Sequence, residues 1–325
     1  MKRWTLPALL LVEIALFTWI SGVRLDSGGA AWTYFRGYFA DLLAQSAPAL
    51  LLALGMTLVI STAGIDLSVA SQTALVACVM STFSEGQRFW ATAVPIGMLL
   101  GIGLGLTNGW LIGRLDVPPI IATLGTMILY RGLCFAWLGE AENSPFLSVP
   151  GYEFLGEFWG TLALITLAFL GFGTWFQNSR WRREVLMMGG NRVAARYAGV
   201  PVTRRTLEVY GIVGFLASIA ALTFTARNGS VSASSLTGME LRVIVAVVLG
   251  GTRVQGGMAS LPGTFLGVLI LAVLDEGLRG ASRWGEEHLP FKLSHLQFVL
   301  LGLLLVAGVW LNSRREAQGT PKPRS

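Results

Sequence analysis

An isolated acidic residue, Asp66, interrupts residues 42–83, one of the most apolar stretches of the sequence. A carboxylate in such surroundings is costly unless it is paired or lies at a helix start, where free backbone N–H groups stabilise it. The segment Gly64–Ser68 therefore indicates a turn or an unwound stretch between two helices. Capping of the second helix by Asp66 is favoured about two to one over direct contact with a solute, because Asp prefers cap positions. Either interpretation places Asp66 and Ser68 beside a transport pathway, where irregular backbone is tolerated within a membrane.

Further polar side chains follow in apolar segments downstream. Asn108 would either join helices or face a pathway. Thr123 and Thr126 are three residues apart and therefore share one helix face. Their hydroxyls would contact a polar solute or, more commonly for threonine, bond back to their own helix. We expect Asn108, Thr123 and Thr126 along the same pathway as Asp66.

The sequence contains no arrangement typical of an enzyme. Its two histidines and two cysteines form no cluster suited to zinc or iron, and Cys78 and Cys134 both lie in apolar stretches. Neither a nucleophile elbow nor a His-based triad occurs. The glycine-rich segment Gly250–Gly257 lacks the Lys-Ser/Thr of a phosphate-binding loop and fits a tight turn between membrane segments. No catalytic residue, cofactor or metal site is expected.

Composition determines the class of fold that must position these residues. Of 325 residues, 53% are hydrophobic and only 13% are charged, which is typical of a chain solvated by lipid. We predict an all-α polytopic helical bundle that forms a single transmembrane domain over 1–325. The net charge of +6 does not indicate nucleic-acid binding, because the basic residues collect in loops and at the chain ends.

About ten transmembrane helices are predicted, since a span takes roughly 20 apolar residues. Two of them share 42–83, on either side of the break. The short apolar run 241–250 forms a tenth span or only a half-helix. The remaining candidates lie near 4–22, 90–113, 120–138, 158–176, 206–226, 258–278 and 295–312.

Loop charges predict the orientation. The loop 177–205 holds seven arginines against Glu184 alone, whereas the loop 139–157 holds four glutamates and no basic residue. By the positive-inside rule, 177–205 is cytoplasmic. Basic residues near both termini place the N-terminus and the tail 313–325 on the same side. A cleaved signal peptide is the alternative for the first helix, and Glu13 within its apolar run favours retention.

A stripe of glycines marks one helix for close packing. Residues four apart lie on one helix face, and small residues there let a second backbone approach. The stripe lies in the predicted span 90–113 and consists of Gly97, Gly101, Gly105, Gly109 and Gly113.

Four segments together resemble the ribose-type sugar ABC transporter permeases. They are Gly55–Ser71, Asn108–Gly132, Gly189–Val200 and Val247–Gly267. They occur in the order that this family has, and their combination is more specific than any one of them. The resemblance identifies the chain as a member of that family.

The resemblance implies a subunit that imports a monosaccharide or a related small polar solute across the bacterial inner membrane. A second permease chain, identical or similar, completes the pore. ATPase subunits on the cytoplasmic side hydrolyse ATP, and a periplasmic or tethered binding protein delivers the solute. The segment Asn191–Val200 would be the helix that docks into the ATPase, and Gly263 and Gly267 would pack helices. The expected coupling residues are Gly190, Asn191, Ala194, Ala195, Arg196 and Gly199.

The sequence departs from the family pattern at Ala63 and Ala70, where glycine is usual, and at Arg253–Gln255 in the glycine-rich turn. The added methyl groups should narrow backbone freedom around Asp66. A branched-chain amino-acid permease of the same superfamily is one alternative. An ion- or proton-coupled transporter is another, although it should carry more ionisable residues at mid-membrane than Asp66.

Overall fold

The computed structural model describes residues 5–20, 28–83, 86–288, 299–300, 302–304 and 306. Within them the chain is helical, and a single isolated β-bridge joins Asn143 to Val231. The prediction of an all-α chain is therefore confirmed for the described residues. The α-helices are α1 Thr5–Ile20, α2 Gly28–Ser61, α3 Val69–Ser81, α4 Ala93–Gly113, α5 Pro119–Leu138, α6 Phe158–Thr166, α7 Gly173–Asn178, α8 Arg180–Gly190, α9 Arg192–Tyr197, α10 Val202–Asn228, α11 Met239–Leu249 and α12 Leu261–His288.

Six helical stretches of the described chain are long and apolar enough to cross a membrane. The predicted count of about ten is not confirmed. The helices α3 and α11 have 13 and 11 residues, too few for a hydrocarbon core about 30 Å thick at about 1.5 Å per residue. The predicted span 295–312 and the tail 313–325 lie largely or wholly outside the described residues. The six stretches are Arg36–Ser61, Arg88–Gly113, Pro119–Leu138, Phe158–Asn178, Val202–Asn228 and Leu261–Arg279.

The centre of the bundle is formed by α2 and α10, most of whose residues are buried. The outer positions belong to α4, α5 and the stretch 158–178, which expose large apolar side chains. Apolar side chains on the outside of a membrane bundle are solvated by lipid or covered by another subunit. The described helices therefore form a bundle with a sealed core and an apolar periphery.

The glycine stripe of α4 packs against α10 along most of its length. A Cβ atom on Gly101 or Gly105 would overlap Ser218 or the backbone of Tyr210, and one on Gly109 would lie 2.9 Å from the Cα of Leu207. Gly113 likewise lies close to α10, whereas Gly97 contacts α3. The seam needs residues without side chains because the two backbones meet directly.

The break after α2 occupies residues 62–68, as predicted from the sequence. Ala63 in this break has a φ of +61°, a left-handed conformation that favours glycine. Glycine is usual at this position in the family that the sequence resembles, and the left-handed conformation explains that preference. Ala70 differs, because it lies in the regular helix α3.

Candidate functional site

Asp66 lies at the break and is fully buried. Its Oδ1 accepts hydrogen bonds from the backbone N–H of Ser68 at 2.8 Å and from the Ser68 hydroxyl at 2.6 Å. This is a turn in which an aspartate bonds the backbone two residues on. Ser68 itself occupies the N-cap position of α3. Asp66 therefore lies two residues before the N-cap, and not at the cap position that the sequence predicted.

The five residues predicted to lie along a pathway form one hydrogen-bond network. The Asn108 amide donates to Ser68 Oγ at 2.8 Å, and the Thr126 hydroxyl donates to Asn108 Oδ1 at 2.7 Å. Thr123 donates to the carbonyl of Ile65 at 3.0 Å. The network therefore joins the break and the start of α3 to α4 and α5.

All five of these side chains are buried, and their polar groups face one another. Satisfied buried networks of this kind fix one arrangement of the helices around them. In this conformation the network holds the unwound segment 62–68 in place. Contact of Asp66, Ser68, Asn108, Thr123 or Thr126 with a solute stays a prediction.

Two polar atoms near the network have no hydrogen-bond partner among the described residues. They are Oδ2 of Asp66 and the hydroxyl of Tyr210 on α10. The hydroxyl lies near Gly64, where an added Cβ would come within 3.1 Å of it. Buried polar groups are normally paired, and these two atoms are exceptions close to the break.

The helix α9 projects from the bundle after α8. Tyr197 is 90% exposed and Val193 is 65% exposed, and both lie on α9, four residues apart. Residues at this spacing share a helix face. An exposed tyrosine and valine on one face form a small surface suited to contact with another protein. Neither residue was predicted from the sequence as a contact with a partner, although a spacing of four residues places both on one helix face.

The six predicted coupling residues lie on α9 or directly beside it, and their surroundings differ. Asn191 caps α9, since its Oδ1 accepts from the N–H of Ala194 at 2.9 Å. Gly199 adopts a φ of +80° just after the helix. Gly190, Ala194 and Arg196 are exposed. Ala195 points inward instead, into an apolar cluster with Met188, Val200 and Val202, and its side chain anchors α9.

An ion network fixes α8 to the start of α10. Glu184 accepts from Arg205 at 2.6 Å and from Arg180 at 3.0 Å. Glu208 accepts from the Trp181 indole at 2.7 Å and also pairs with Arg205. The hydrogen bond from Arg205 lowers the pKa of Glu184. Arg180 and Arg205, which were counted among the loop charges, thus belong to an ion clamp in which Glu184 and Glu208 hold α8 against α10.

The C-terminal end of α8 contacts the break directly. A Cβ atom on Gly189 would overlap the carbonyl oxygen of Ser61, the last residue of α2. The same carbonyl accepts the N–H of Gly257 at 3.0 Å. Ser61 therefore meets both α8 and the glycine-rich turn Gly250–Gly257.

The glycine-rich turn connects α11 to α12, and these two helices pack closely against each other. Added Cβ atoms on Gly263 and Gly267 of α12 would overlap the carbonyl oxygens of Gly250 and Ala246. Beside them Thr57 of α2 hydrogen bonds to Thr264 at 2.8 Å. Both predicted packing glycines of α12 thus lie where α11 approaches most closely.

Comparison with known proteins fits this arrangement of an apolar bundle with one projecting helical element. Residues 38–309 match the family described as "Branched-chain amino acid transport system / permease component". The chain belongs to this permease family. It is therefore a multi-pass membrane permease, and the resemblance noted from its four segments is confirmed.

The similar curated proteins are permeases of import systems. The chain is 32% identical over 285 residues to the ribose import permease protein RbsC of Escherichia coli K12, covering 85% of each chain. It is 36% identical over 276 residues to the autoinducer 2 import system permease protein LsrC of Klebsiella pneumoniae, covering 83% of this chain and 78% of that one. The fructose import permease protein FruG of Bifidobacterium longum is 32% identical over 291 residues, covering 85% and 84%. No significant match to a solved structure was found.

Proposed function

We propose that this permease is the membrane-spanning subunit of an ATP-driven importer that carries a monosaccharide or a related small polar solute into a bacterial cell. The names of the similar permeases support the solute class, since they specify ribose, fructose and autoinducer 2. The chain acts by translocation alone, and partner subunits hydrolyse ATP. It lies in the inner membrane with both termini in the cytoplasm, as its loop charges favour.

The observation that supports this proposal most directly is that α9 is exposed, while the preceding helix α8 is fixed to α10 by the ion network. We propose that α9, within the cytoplasmic loop 177–205, docks into an ABC-type ATPase. Tyr197 and Val193 supply the apolar contact, and Arg196 supplies charge at its edge. The clamp of Glu184 with Arg205 supports this role, because a coupling element must resist the force that it transmits.

Two further partners complete the transporter. A second permease chain, identical or similar, pairs with this one to form the pore. A periplasmic or tethered sugar-binding protein delivers the solute at the end of the bundle opposite α9. ATP binding by the partner subunits then moves α9 and α8, and the pore changes the side on which it opens.

Purification of the complete complex from its native membrane in mild detergent tests this proposal. We expect an ABC-type ATPase to co-purify and its activity to rise when the binding protein carries solute. Tyr197→Ala should abolish that stimulation without unfolding the chain, because a side chain that is 90% exposed loses almost no internal packing. Arg196→Glu should act in the same direction.

Arg183→Glu is the matched control, since Arg183 is also exposed but lies on α8. It should leave most of the stimulation intact. Active transport by a chain that purifies without any ATPase would contradict the proposal and favour an ion-coupled mechanism. Uptake of leucine or valine in preference to sugars would keep the importer and replace its solute class with the one in the family's description.

A further inference from the structure

A groove of about 280 Å³ opens where the loop 139–157, between α5 and α6, meets the end of α10. Residues 146–150 and Glu153 of the loop form one wall, and Ala226 and Gly229 form the other. The helix α10 has 27 residues at about 1.5 Å each, and α8 and α9 adjoin its start. This loop groove therefore lies about 40 Å from α9, at the opposite end of the bundle.

The loop that forms the groove is folded against the bundle at several points. Asn143 and Val231 exchange two backbone hydrogen bonds of 2.9 Å. Buried Tyr152 donates to the carbonyl of Leu222 on α10 at 2.9 Å. The ring of buried Phe146 packs against that of Tyr152, with centroids 5.8 Å apart. The groove is therefore a preformed surface on a rigid scaffold, which is the usual setting of a binding surface built from a loop.

The groove presents apolar side chains to its opening. Leu147 is 80% exposed, and among the large apolar residues described only Tyr197 on α9 is more exposed. Pro150, which also lines the groove, is exposed as well. Both residues lie in a loop beyond the end of α5, next to charged side chains, and not on a lipid-facing helix. An apolar patch with a polar rim is typical of a surface that contacts another protein.

Carboxylates form the rim of the groove. Glu153 lines it directly, and Glu142 is held beside the end of α10 by a hydrogen bond from Ser230. The same loop holds two more exposed glutamates and no basic residue. Exposed Arg88 lies on the neighbouring turn, which packs against the loop through Phe89, and it offsets one of these charges. The surface around the groove therefore has a net negative charge.

The loop is also attached to the helix that carries the ion clamp. Gly156 meets the backbone of Arg227 on α10, where an added Cβ would lie only 2.6 Å from the backbone nitrogen. The start of the same helix carries Arg205 and Glu208, which pair with each other in the clamp. A protein that docks at the groove would therefore touch the helix whose other end is bonded to α8. Such a contact suits a partner that stimulates ATP hydrolysis at the far side of the membrane.

The charge of the rim restricts what covers the apolar patch. Its glutamates repel an anionic lipid surface, and they equally repel the same face of a second copy of this chain. A protein surface with lysine or arginine side chains around an apolar residue is complementary in both charge and polarity. The position of the groove opposite α9 selects the partner that delivers solute over the ATPase.

We propose that the loop groove is the docking site of the solute-binding protein, which places an apolar side chain beside Leu147 and basic side chains beside Glu142 and Glu153. The inference rests on the proposed function and adds the surface at which that partner binds and the charge that it must carry. The solute is then released at the end of the bundle where α10 and the loop 139–157 meet.

Two variants test the docking site, each with a control of the same chemical change. Glu153→Gln removes a charge from the rim, whereas Asp116→Asn removes one from an exposed position just after α4, near α9. Leu147→Ala shortens the apolar side chain at the groove, whereas Leu99→Ala shortens one that is 72% exposed on α4. All four side chains are exposed, so these substitutions remove little internal packing.

The assay uses the complete complex in lipid nanodiscs and the solute-binding protein that co-purifies with it. Biolayer interferometry measures their dissociation constant at about 10 mM and about 0.15 M salt, where the Debye length is about 30 Å and about 8 Å. We expect Glu153→Gln to weaken binding about twofold to fivefold at the lower salt concentration and less at the higher one, as for an exposed ion pair. Glu153→Lys should weaken it further, because like charges then face each other. Leu147→Ala should weaken binding about tenfold at both salt concentrations, and the two controls should leave the dissociation constant unchanged.

Other outcomes separate the failures. If the unaltered complex contains no ATPase, or binds no solute-binding protein, the proposed function fails and the docking site fails with it. If the binding protein stimulates ATP hydrolysis and the groove variants match their controls, the docking site alone is overturned. Tighter binding to Glu153→Gln would reveal an acidic partner face and would also overturn it. A change in the number of permease chains per complex, with unchanged affinity for the binding protein, would assign the groove to a second copy of the chain instead.

Discussion

Ala63 adopts a φ of +61° in the break between α2 and α3, and its side chain is exposed. An L-residue with a Cβ pays about 1–2 kcal/mol in this conformation. Glycine would avoid that cost but would lose about 0.5–1 kcal/mol more backbone entropy on folding. The exposed methyl group contributes little packing. Ala63→Gly should therefore raise the free energy of unfolding by about 0.5–1 kcal/mol.

Ala70→Gly is the matched comparison, because the same substitution falls in the regular helix α3 at a fully buried position. Ala70 is the second residue of α3, where glycine costs up to about 1 kcal/mol of backbone entropy relative to alanine, and the lost methyl group also leaves a small void. The two substitutions should therefore shift stability in opposite directions. Denaturant titration in detergent micelles, followed by tryptophan fluorescence, measures both on one scale.

A decrease for Ala63→Gly as large as that for Ala70→Gly would refute the reasoning. It would mean that the left-handed backbone at Ala63 carries no net cost in this fold. A second readout is transport, which should survive Ala63→Gly, since glycine is the residue usual at this position in the resembling family.

Two further pairs of variants, and one change of pH, should alter stability in predictable directions. Gly105→Ala should lower thermal stability in detergent, by an amount equivalent to about 1–3 kcal/mol, because its Cβ would overlap α10. Gly103→Ala, whose Cβ meets open space on the same helix, should be neutral or stabilising. Tyr210→Phe should be neutral or stabilising, since it removes a buried hydroxyl without a partner among the described residues. Tyr130→Phe should cost about 1 kcal/mol, because that hydroxyl bonds a backbone carbonyl at 3.0 Å. The pKa of Glu184 lies below its ordinary value of about 4.5, so the stabilisation of α8 is complete above pH 4.5 and is lost as the pH falls through the lowered value. Hydrogen exchange of α8 between pH 3 and pH 6 measures this loss, and a chain with Glu184→Gln should show a weaker dependence, because Glu208 still accepts from the Trp181 indole of α8.

The sequence was most informative where backbone geometry depends on local residue types. Five glycines at a spacing of four predict a close helix contact whatever the partner helix is, and α10 proved to be that partner for four of them, while Gly97 meets α3. A carboxylate flanked by glycine and serine predicts a break in a helix, and the break lies at residues 62–68. These signals are local, so no knowledge of the tertiary structure was needed to read them.

Other features depend on how the helices are arranged in space. Ala195 and Tyr197 differ by two positions, yet one is buried and the other is 90% exposed, because the rotation of α9 is set by its contacts with α8 and α10. The predicted count of about ten spans is not confirmed for the described residues, because α3 and α11 are apolar but too short to cross the membrane as regular helices. The helix α11 ends at Gly250, where Gly251 takes a φ of +90°.

The ion pair between Arg242 of α11 and Asp275 of α12 was not predicted, because the two residues lie 33 positions apart in the sequence. Arg242 and Asp275 were nevertheless a usable signal. Ionisable residues within apolar segments are expensive unless they pair or serve a function, and these two pair with each other across α11 and α12. A search for opposite charges within predicted spans would have found them.

The positions of α8, Ser61 and the glycine-rich turn form a continuous series of contacts from α8 to α12. The ion clamp joins α8 to the start of α10, since Glu184 accepts a hydrogen bond from Arg205 at 2.6 Å. At its far end α8 meets the Ser61 carbonyl through Gly189, where no side chain intervenes that could yield. A displacement of α8 must therefore shift the end of α2 or the turn bonded to it through Gly257. That turn leads into α12, whose Gly263 and Gly267 pack directly against the end of α11. From Gly189 to Gly267, α8 is thus connected to α12 through glycines, at positions where an added side chain would overlap or crowd the neighbouring backbone.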